Sequence, residues 1–280
     1  MDVERRDFLK GSALGVAALA LPACRKSQTS EVGSSVSKPQ RYIDKALCIG
    51  CGQCVPLCPM DAIHLESEVF SWIDPHECSE CGTCLRANVC PEDAIREGKL
   101  SWPRVLREVF SNPLAEHEST GVPGRGSEGI KTNDTEGQYE EGFMGVFVEL
   151  GRPVLGARFA DAERVVKEFT AHRFPMVEGN PIAGLIADPE TGALEPEILN
   201  EKAISILIEF VVPHTAVEDL MTILRKLSDE VTTVFNVSVA LRAREGGLSP
   251  LSDLFGAGIQ SLPNGKVNLG LAQGIAEGGG

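Results

Sequence analysis

Basic residues are scarce in this chain: 26 Lys and Arg stand against 40 Asp and Glu, giving a formal net charge of −14. That shortage excludes a surface built to grip nucleic acid, which needs clustered cations along a phosphate backbone. An acidic surface suits solubility and docking to a basic patch on a partner protein. Long apolar runs are missing as well. The apolar stretch near the N-terminus, Gly11 to Ala23, is too short to cross about 30 Å of hydrocarbon as a helix. No Ser-His-Asp order, P-loop or dinucleotide glycine fingerprint with its strand context is present. Nothing therefore marks a substrate-transforming site, and the chain is expected to be a non-enzyme that can work within an enzyme complex. What remains is an ordinary globular composition, 42% apolar and 24% charged over 280 residues. That is room for about two domains with cores of their own.

Residues 1–24 read as a targeting segment, not as fold. Arg5-Arg6 is followed by Asp7-Phe8-Leu9-Lys10, then by the weakly apolar run, the order of an export signal. The arginine pair resembles the twin-arginine signal, which implies export in a folded state with any cofactor already inserted. Leu21-Pro22-Ala23-Cys24 looks like a lipobox. Three outcomes stay open there: acylation of Cys24, cleavage nearby, or an uncleaved anchor. Contact with a membrane is expected only through such a lipid or signal. Residues 25–40 are polar and serine-rich, a flexible tether.

Eight of the nine cysteines fall into two runs within residues 41–109. The first is Cys48-x2-Cys51-x2-Cys54-x3-Cys58-Pro59. The second is Cys78-x2-Cys81-x2-Cys84-x5-Cys90-Pro91. An internal repeat accompanies them, Cys58-Pro59-Met60-Asp61-Ala62-Ile63 against Cys90-Pro91-Glu92-Asp93-Ala94-Ile95. Three cysteines two residues apart can wrap one cuboidal cluster, and Gly50, Gly52 and Gly82 permit the sharp turns this needs. Zinc is served by paired C-x2-C units and has no use for three such spacings closed by Cys-Pro, twice. Several independent disulfides are awkward at this spacing, even in an oxidising compartment. His64 and His76 lie near the runs but are not expected to be ligands. Trp72 and Ile73 are expected to pack beside them.

These runs resemble bacterial two-[4Fe–4S] ferredoxins, the first residue for residue. The resemblance implies two [4Fe–4S] clusters with crossed ligation: cluster one on Cys48, Cys51, Cys54 and Cys90, cluster two on Cys78, Cys81, Cys84 and Cys58. The second run departs from the family pattern, because Leu85 to Val89 replace a three-residue gap. The general acidity of the chain is expected to disfavour added electrons and to lower the cluster potentials.

Residues 110–141 combine glycine, proline and charge and read as a linker. Residues 142–244 then alternate strands and helices. Val146, Val148 and Leu150 alternate as a strand. Asp161 is placed to cap a helix carrying Ala162, Val165, Val166 and Phe169. Ile182 to Ala187 reads as a short strand. Ile204 to Val212 alternates strictly, and Thr215 and Glu218 form a capping box for a helix bearing Val217, Leu220, Met221, Leu224 and Leu227. Val231 to Val239 alternates as the last strand. The order is a β-α-β-β-α-β split-βαβ plan, so the expected fold class is α+β: a small two-cluster ferredoxin domain plus this second domain. Its first turn, Glu149-Leu150-Gly151-Arg152-Pro153-Val154-Leu155-Gly156, resembles that of ACT-type ligand-binding domains, with Val154 where those turns usually place Gly after Pro. The resemblance implies a small-ligand site, with Arg152 and Arg158 as candidate carboxylate binders, or pairing of two copies. Residues 245–280 form a glycine-rich tail.

Together these readings imply an exported carrier of single electrons, free or as the electron-transfer subunit of a redox complex. It would serve redox partner proteins at the periplasmic or outer face of the cytoplasmic membrane. The competing reading is a redox-responsive ligand-binding or docking module.

Overall fold

The computed structural model describes residues 41–67, 69–118, 121, 123, 139–177, 179–242 and 254. The export signal, Cys24, the tether, most of the expected linker and nearly all of the glycine-rich tail lie outside the described residues.

The cysteine-rich part is built from two matching halves. Strands β1 (Arg41–Ile43), β2 (Ile63–Glu66), β3 (Phe70–Ile73) and β4 (Ile95–Glu97) form two antiparallel pairs, β1 with β4 and β2 with β3. Ile43 lies opposite Ile95 in one pair, and Ile63 opposite Ile73 in the other. The repeat in sequence thus becomes a repeat in space. Each half is also stitched to its own sheet by the same bond: the Asp44 amide donates to the Ala94 carbonyl at 2.8 Å, and the Asp74 amide to the Ala62 carbonyl at 2.7 Å. Ala62 and Ala94 are fully buried. A small core of Ile43, Met60, Ile63, Ile73 and Ile95 fills the space between the loops. Helix α1 (Thr83–Arg86) occupies the second loop, and α2 (Val105–Ser111) leaves this part of the chain to place Leu106 and Phe110 in a larger core.

That larger core belongs to a three-stranded antiparallel sheet with β5 (Phe143–Leu150) at its centre. Next come β6 (Ala157–Arg158), α3 (Phe159–Ala171), and the hairpin β7 (Ile186–Asp188) with β8 (Ala193–Leu194). The last elements are β9 (Lys202–Ala203), β10 (Ile206–Pro213), α4 (Val217–Glu230) and β11 (Phe235–Ala240). β10 and β11 flank β5 on either side, and beyond β10 the segment Pro175–Val177 runs alongside it through bonds to Val211 and Glu209. Period-two alternation sends Met144, Val146, Val148 and Leu150 to one face with Ile206, Ile208, Phe210 and Val212. On that face α3 contributes Ala162, Val165, Val166 and Phe169, and α4 contributes Leu220, Ile223, Leu224 and Leu227. Phe169 stacks on Phe210 at 3.9 Å. The overall class is α+β, a mixture of helix and strand.

Three local expectations need correction. Ile182 to Ala187 is not a strand of the main sheet: Ala183–Leu185 is a 3-10 turn, and only Ile186–Asp188 is extended, paired with β8. The edge position that the pattern gave to it is taken by Pro175–Val177. Asp161 does not cap α3, which begins at Phe159; it sits in the first turn with its side chain buried, accepting from the Thr232 amide and hydroxyl at 2.8 Å each. Thr215 is absorbed into the 3-10 turn His214–Ala216, so α4 starts after Ala216 without a side-chain cap and no capping box forms.

Candidate metal centre

The two cysteine loops begin alike. In the first, Asp44 turns the chain by accepting the Ala46 amide on its side chain at 2.9 Å while its carbonyl receives the Cys48 amide. In the second, Asp74 does the same for His76 at 2.7 Å and for Cys78. Gly52 and Gly82 then take φ near +70° at matching places. A side chain at Gly82 would be strained by this left-handed backbone and would press on the guanidinium groups of Arg86 and Arg41 at 2.7 and 3.2 Å, so glycine is favoured there.

A cavity opens between the loops, lined by Cys58, Cys78, Cys81 and Cys84 together with Arg41, Met60, Ile63, Ile73, Ser79 and Gly82. Cys58 comes from the first run and the other three from the second. Cys78, Cys81 and Cys84 are buried and Cys58 is half-buried. Of the remaining set, Cys48, Cys54 and Cys90 pack against the smaller core, and Cys51 is exposed. No three His, Cys, Asp or Glu side chains among the described residues converge closely enough to hold a single ion. Cys58, Cys78, Cys81 and Cys84 instead line one cavity, an arrangement suited to a group larger than one ion.

The donors around the sulfurs fit the same kind of group. The Ala62 amide donates to Cys58 Sγ at 3.2 Å, and the repeat-related Ala94 amide donates to Cys90 Sγ at 3.1 Å. The Ser71 amide donates to Cys48 Sγ at 3.3 Å. The hydroxyls of Ser71 and Ser79 are buried with no hydrogen-bond partner, and Ser79 lines the cavity. Buried hydroxyls in that position are costly unless a bound acceptor meets them; sulfide is such an acceptor. Burial, helped by the charge of Glu80, pushes the Cys78 thiol up to about 12, and burial pushes Cys84 up to about 11. Burial also raises Cys54. Such thiols ionise when a metal supplies the compensating positive charge.

Compared with the known proteins, residues 41–64 match the family model described as 4Fe-4S binding domain, and residues 2–22 match the twin-arginine translocation signal. An uncharacterized ferredoxin of Methanocaldococcus jannaschii is 38% identical over 56 residues, covering 19% of this chain and 87% of that protein. This chain belongs to the ferredoxin family. The protein named ferredoxin 7Fe of Hydrogenibacillus schlegelii is 45% identical over 56 residues, 19% of this ferredoxin and 68% of that one. A component of the Na(+)-translocating ferredoxin:NAD(+) oxidoreductase complex of Acetobacterium woodii is 36% identical over 72 residues. This ferredoxin spans 26% of its own length and only 19% of that component's in the match. It carries a 4Fe-4S binding domain and an export signal of the twin-arginine type. Among its described residues, no helix is long and apolar enough to cross a membrane.

The other sequence-derived candidates sit elsewhere. His64 stacks against Trp72 with ring centroids 4.8 Å apart, and His76 lends its amide and carbonyl to the Asp74 turn and to Arg107. Arg152 bonds Glu149 at 3.2 Å and the Gly151 carbonyl, while Arg158 bonds the Asn200 carbonyl and faces Glu77 at 3.6 Å. The two arginines share no site. The turn they flank is docked on the cysteine loops instead: the Val154 amide donates to the Pro59 carbonyl at 2.6 Å. The extra residues of the second run are absorbed by α1 and by Asn88 in left-handed backbone, φ 48°. Arg41, Glu80 and Arg104 escape any reading by cysteine spacing. The signal that points to them is a break in the repeat, Glu80 standing where the first run has Gly50.

Proposed function

We propose that this ferredoxin is an exported one-electron carrier holding two [4Fe–4S] clusters. Cluster one would be held by Cys48, Cys51, Cys54 and Cys90, and cluster two by Cys78, Cys81, Cys84 and Cys58. The single observation that supports crossed ligation is the cavity that gathers Cys58 with three cysteines of the other run. When bound, each cluster supplies one-electron redox chemistry. The protein's own part is to hold it, shield it and bias its charge. The amides of Ala62, Ala94 and Ser71 donate to cysteine sulfurs, which favours the more negative, reduced state. Exposed Cys51, beside Ile49 at 60% exposure, gives the first site a solvent-facing side where a partner can dock.

Residues 41–109 would be the ferredoxin domain and 142–244 an ACT-like split-βαβ domain, a reading supported by the order β11-β5-β10 followed by Pro175–Val177. Its ligand-binding role is not favoured, because its turn is engaged by Pro59. The chain would act as a carrier and not as an enzyme, passing electrons to or from a redox complex, in the periplasm or at the outer face of the cytoplasmic membrane. Acylation of Cys24 would tether it there by lipid.

Anaerobic purification with iron, sulfide and zinc analysis tests the cofactor. Eight irons per chain are expected; seven would indicate one three-iron site, and zinc alone would end the reading. Crossed ligation is tested separately by electron paramagnetic resonance. Cys58→Ser and Cys84→Ser should perturb the same cluster, and Cys90→Ser the other. Perturbation of different clusters by Cys58→Ser and Cys84→Ser would overturn the assignment.

A further inference from the structure

In the first loop, Cys48 and Cys51 enclose Ile49-Gly50, and in the second, Cys78 and Cys81 enclose Ser79-Glu80. Gly50 and Glu80 share the left-handed backbone, φ 69° and 55°. For glycine that conformation is free, whereas for glutamate it is strained. Glu80 is also fully buried, and its carboxylate takes Arg104 Nε at 2.7 Å on one oxygen and Arg41 Nη1 at 3.1 Å on the other. Arg41 also bonds the Glu80 backbone carbonyl, and it reaches Glu108 at 3.0 Å and Glu97 at 3.7 Å. Arg104 also donates to the Pro75 carbonyl at 2.9 Å. Both arginines are almost wholly buried, 3% and 1% exposed, and Arg41 lines the cavity with Cys58, Cys78, Cys81 and Cys84. Each retains one buried nitrogen without a partner, Nε of Arg41 and Nη2 of Arg104. The repeat-related first loop has glycine in place of this carboxylate.

We propose that the Arg41–Glu80–Arg104 triad positions the second cysteine loop and sets the potential of cluster two apart from that of cluster one. The proposal rests on the two-cluster reading above. Arg41 and Arg104 set two buried positive charges beside the second site, Glu80 sets a buried negative one between them, and Glu108 and Glu97 meet Arg41 from its more exposed side. In a medium of low dielectric such charges are poorly screened, so they act strongly on a group that gains an electron. The arginines favour the reduced form and Glu80 opposes it, so loss of either sign moves the couple in opposite directions. The first site, with exposed Cys51 and no matching triad, keeps the solvent's screening.

Single substitutions of opposite charge test this. Arg41→Gln removes a positive charge and should lower one of the two couples. Glu80→Gln removes a negative charge and should raise that same couple. The other couple, marked by its response to Cys51→Ser, should stay in place. The readouts are voltammetry and electron paramagnetic resonance on iron-loaded protein with eight irons counted first, so a failure of the two-cluster reading shows as a wrong iron count. If Arg41→Gln does not load iron, Glu80→Gln carries the test alone, because the raised couple must be the one that Cys51→Ser leaves untouched. Shifts of the same sign from both variants, equal shifts of both couples, or no shift would overturn the proposal. A merely structural triad would lower thermal stability in both variants without opposite movement of one couple.

Discussion

The Val154 amide hydrogen-bonds the Pro59 carbonyl at 2.6 Å, which ties the turn after β5 to the residue beside Cys58. The α+β part is therefore bonded directly to a cysteine loop. Val154 makes this bond from left-handed backbone, φ 72°, with its side chain 57% exposed. A β-branched residue is poorly suited to that conformation.

Val154→Gly should therefore stabilise the protein by roughly 0.5–1 kcal/mol, the relief of strain outweighing the extra freedom that glycine has when unfolded. Val154→Pro fixes φ near −65° and removes the donor, and should cost about 3 kcal/mol or more. Denaturant midpoints of the iron-loaded protein check both. A Gly variant with a lower midpoint than wild type would contradict the account.

Asp161 carries the link between the start of α3 and the segment before β11. Its buried carboxylate accepts from the Thr232 amide and hydroxyl and from Arg164 at 2.5 Å. Asp161→Ala leaves the Thr232 amide unpaired and should destabilise by about 2–3 kcal/mol. Thr232→Val removes only one neutral bond and should cost about 1 kcal/mol. Equal losses in the two variants would contradict this ranking.

The cysteine loops were legible because iron–sulfur ligation fixes residue type and spacing within a few positions, and the repeat at Cys58 and Cys90 announces the internal symmetry. The central strands were legible because a sheet with helices on one face imposes strict alternation, as at Ile206, Ile208, Phe210 and Val212. The edge of the sheet was not. Pro175–Val177 is held there by only a few main-chain bonds, while Ile182 owes its apolar character to burial within the larger core. Buried aliphatics leave the same trace in sequence whether the backbone is extended or turned. Thr215 failed as a cap because propensity marks a place near a helix start and tertiary packing chooses the residue. Glu80, Arg41 and Arg104 were hidden because ionic partners far apart in sequence carry no periodicity.

The buried thiols should also be chemically silent when the metal is absent. Cys78 and Cys84, raised to about 12 and about 11, stay protonated at pH 8, and a protonated thiol is a poor nucleophile. In chain freed of iron under anaerobic, reducing conditions, iodoacetamide should modify exposed Cys51 well before those two. Peptide mass spectrometry over a time course reads the order. Uniform labelling would show that the second loop does not keep this packing without its metal.

Arg107 gives the sharpest test of how the two cores cooperate. It extends from α2, which belongs to the larger core, to the carbonyls of Pro75, His76 and Cys78 at 3.0, 3.1 and 2.8 Å, and it pairs with Glu201. Arg107 and Glu201 are both buried, 5% and 8% exposed. Arg107→Ala strands the carboxylate and frees the loop that leads into Cys78, so stability should fall by about 3–5 kcal/mol. Adding Glu201→Ala removes the stranded charge and should restore part of that loss but not the hold on the carbonyls. In air the Arg107→Ala protein should lose its visible absorbance in two phases. On the proposed ligation, the fast phase should belong to the site of Cys78, Cys81, Cys84 and Cys58, and the slow one should match wild type. A single phase at the wild-type rate would mean that the α+β part contributes nothing to keeping that site closed.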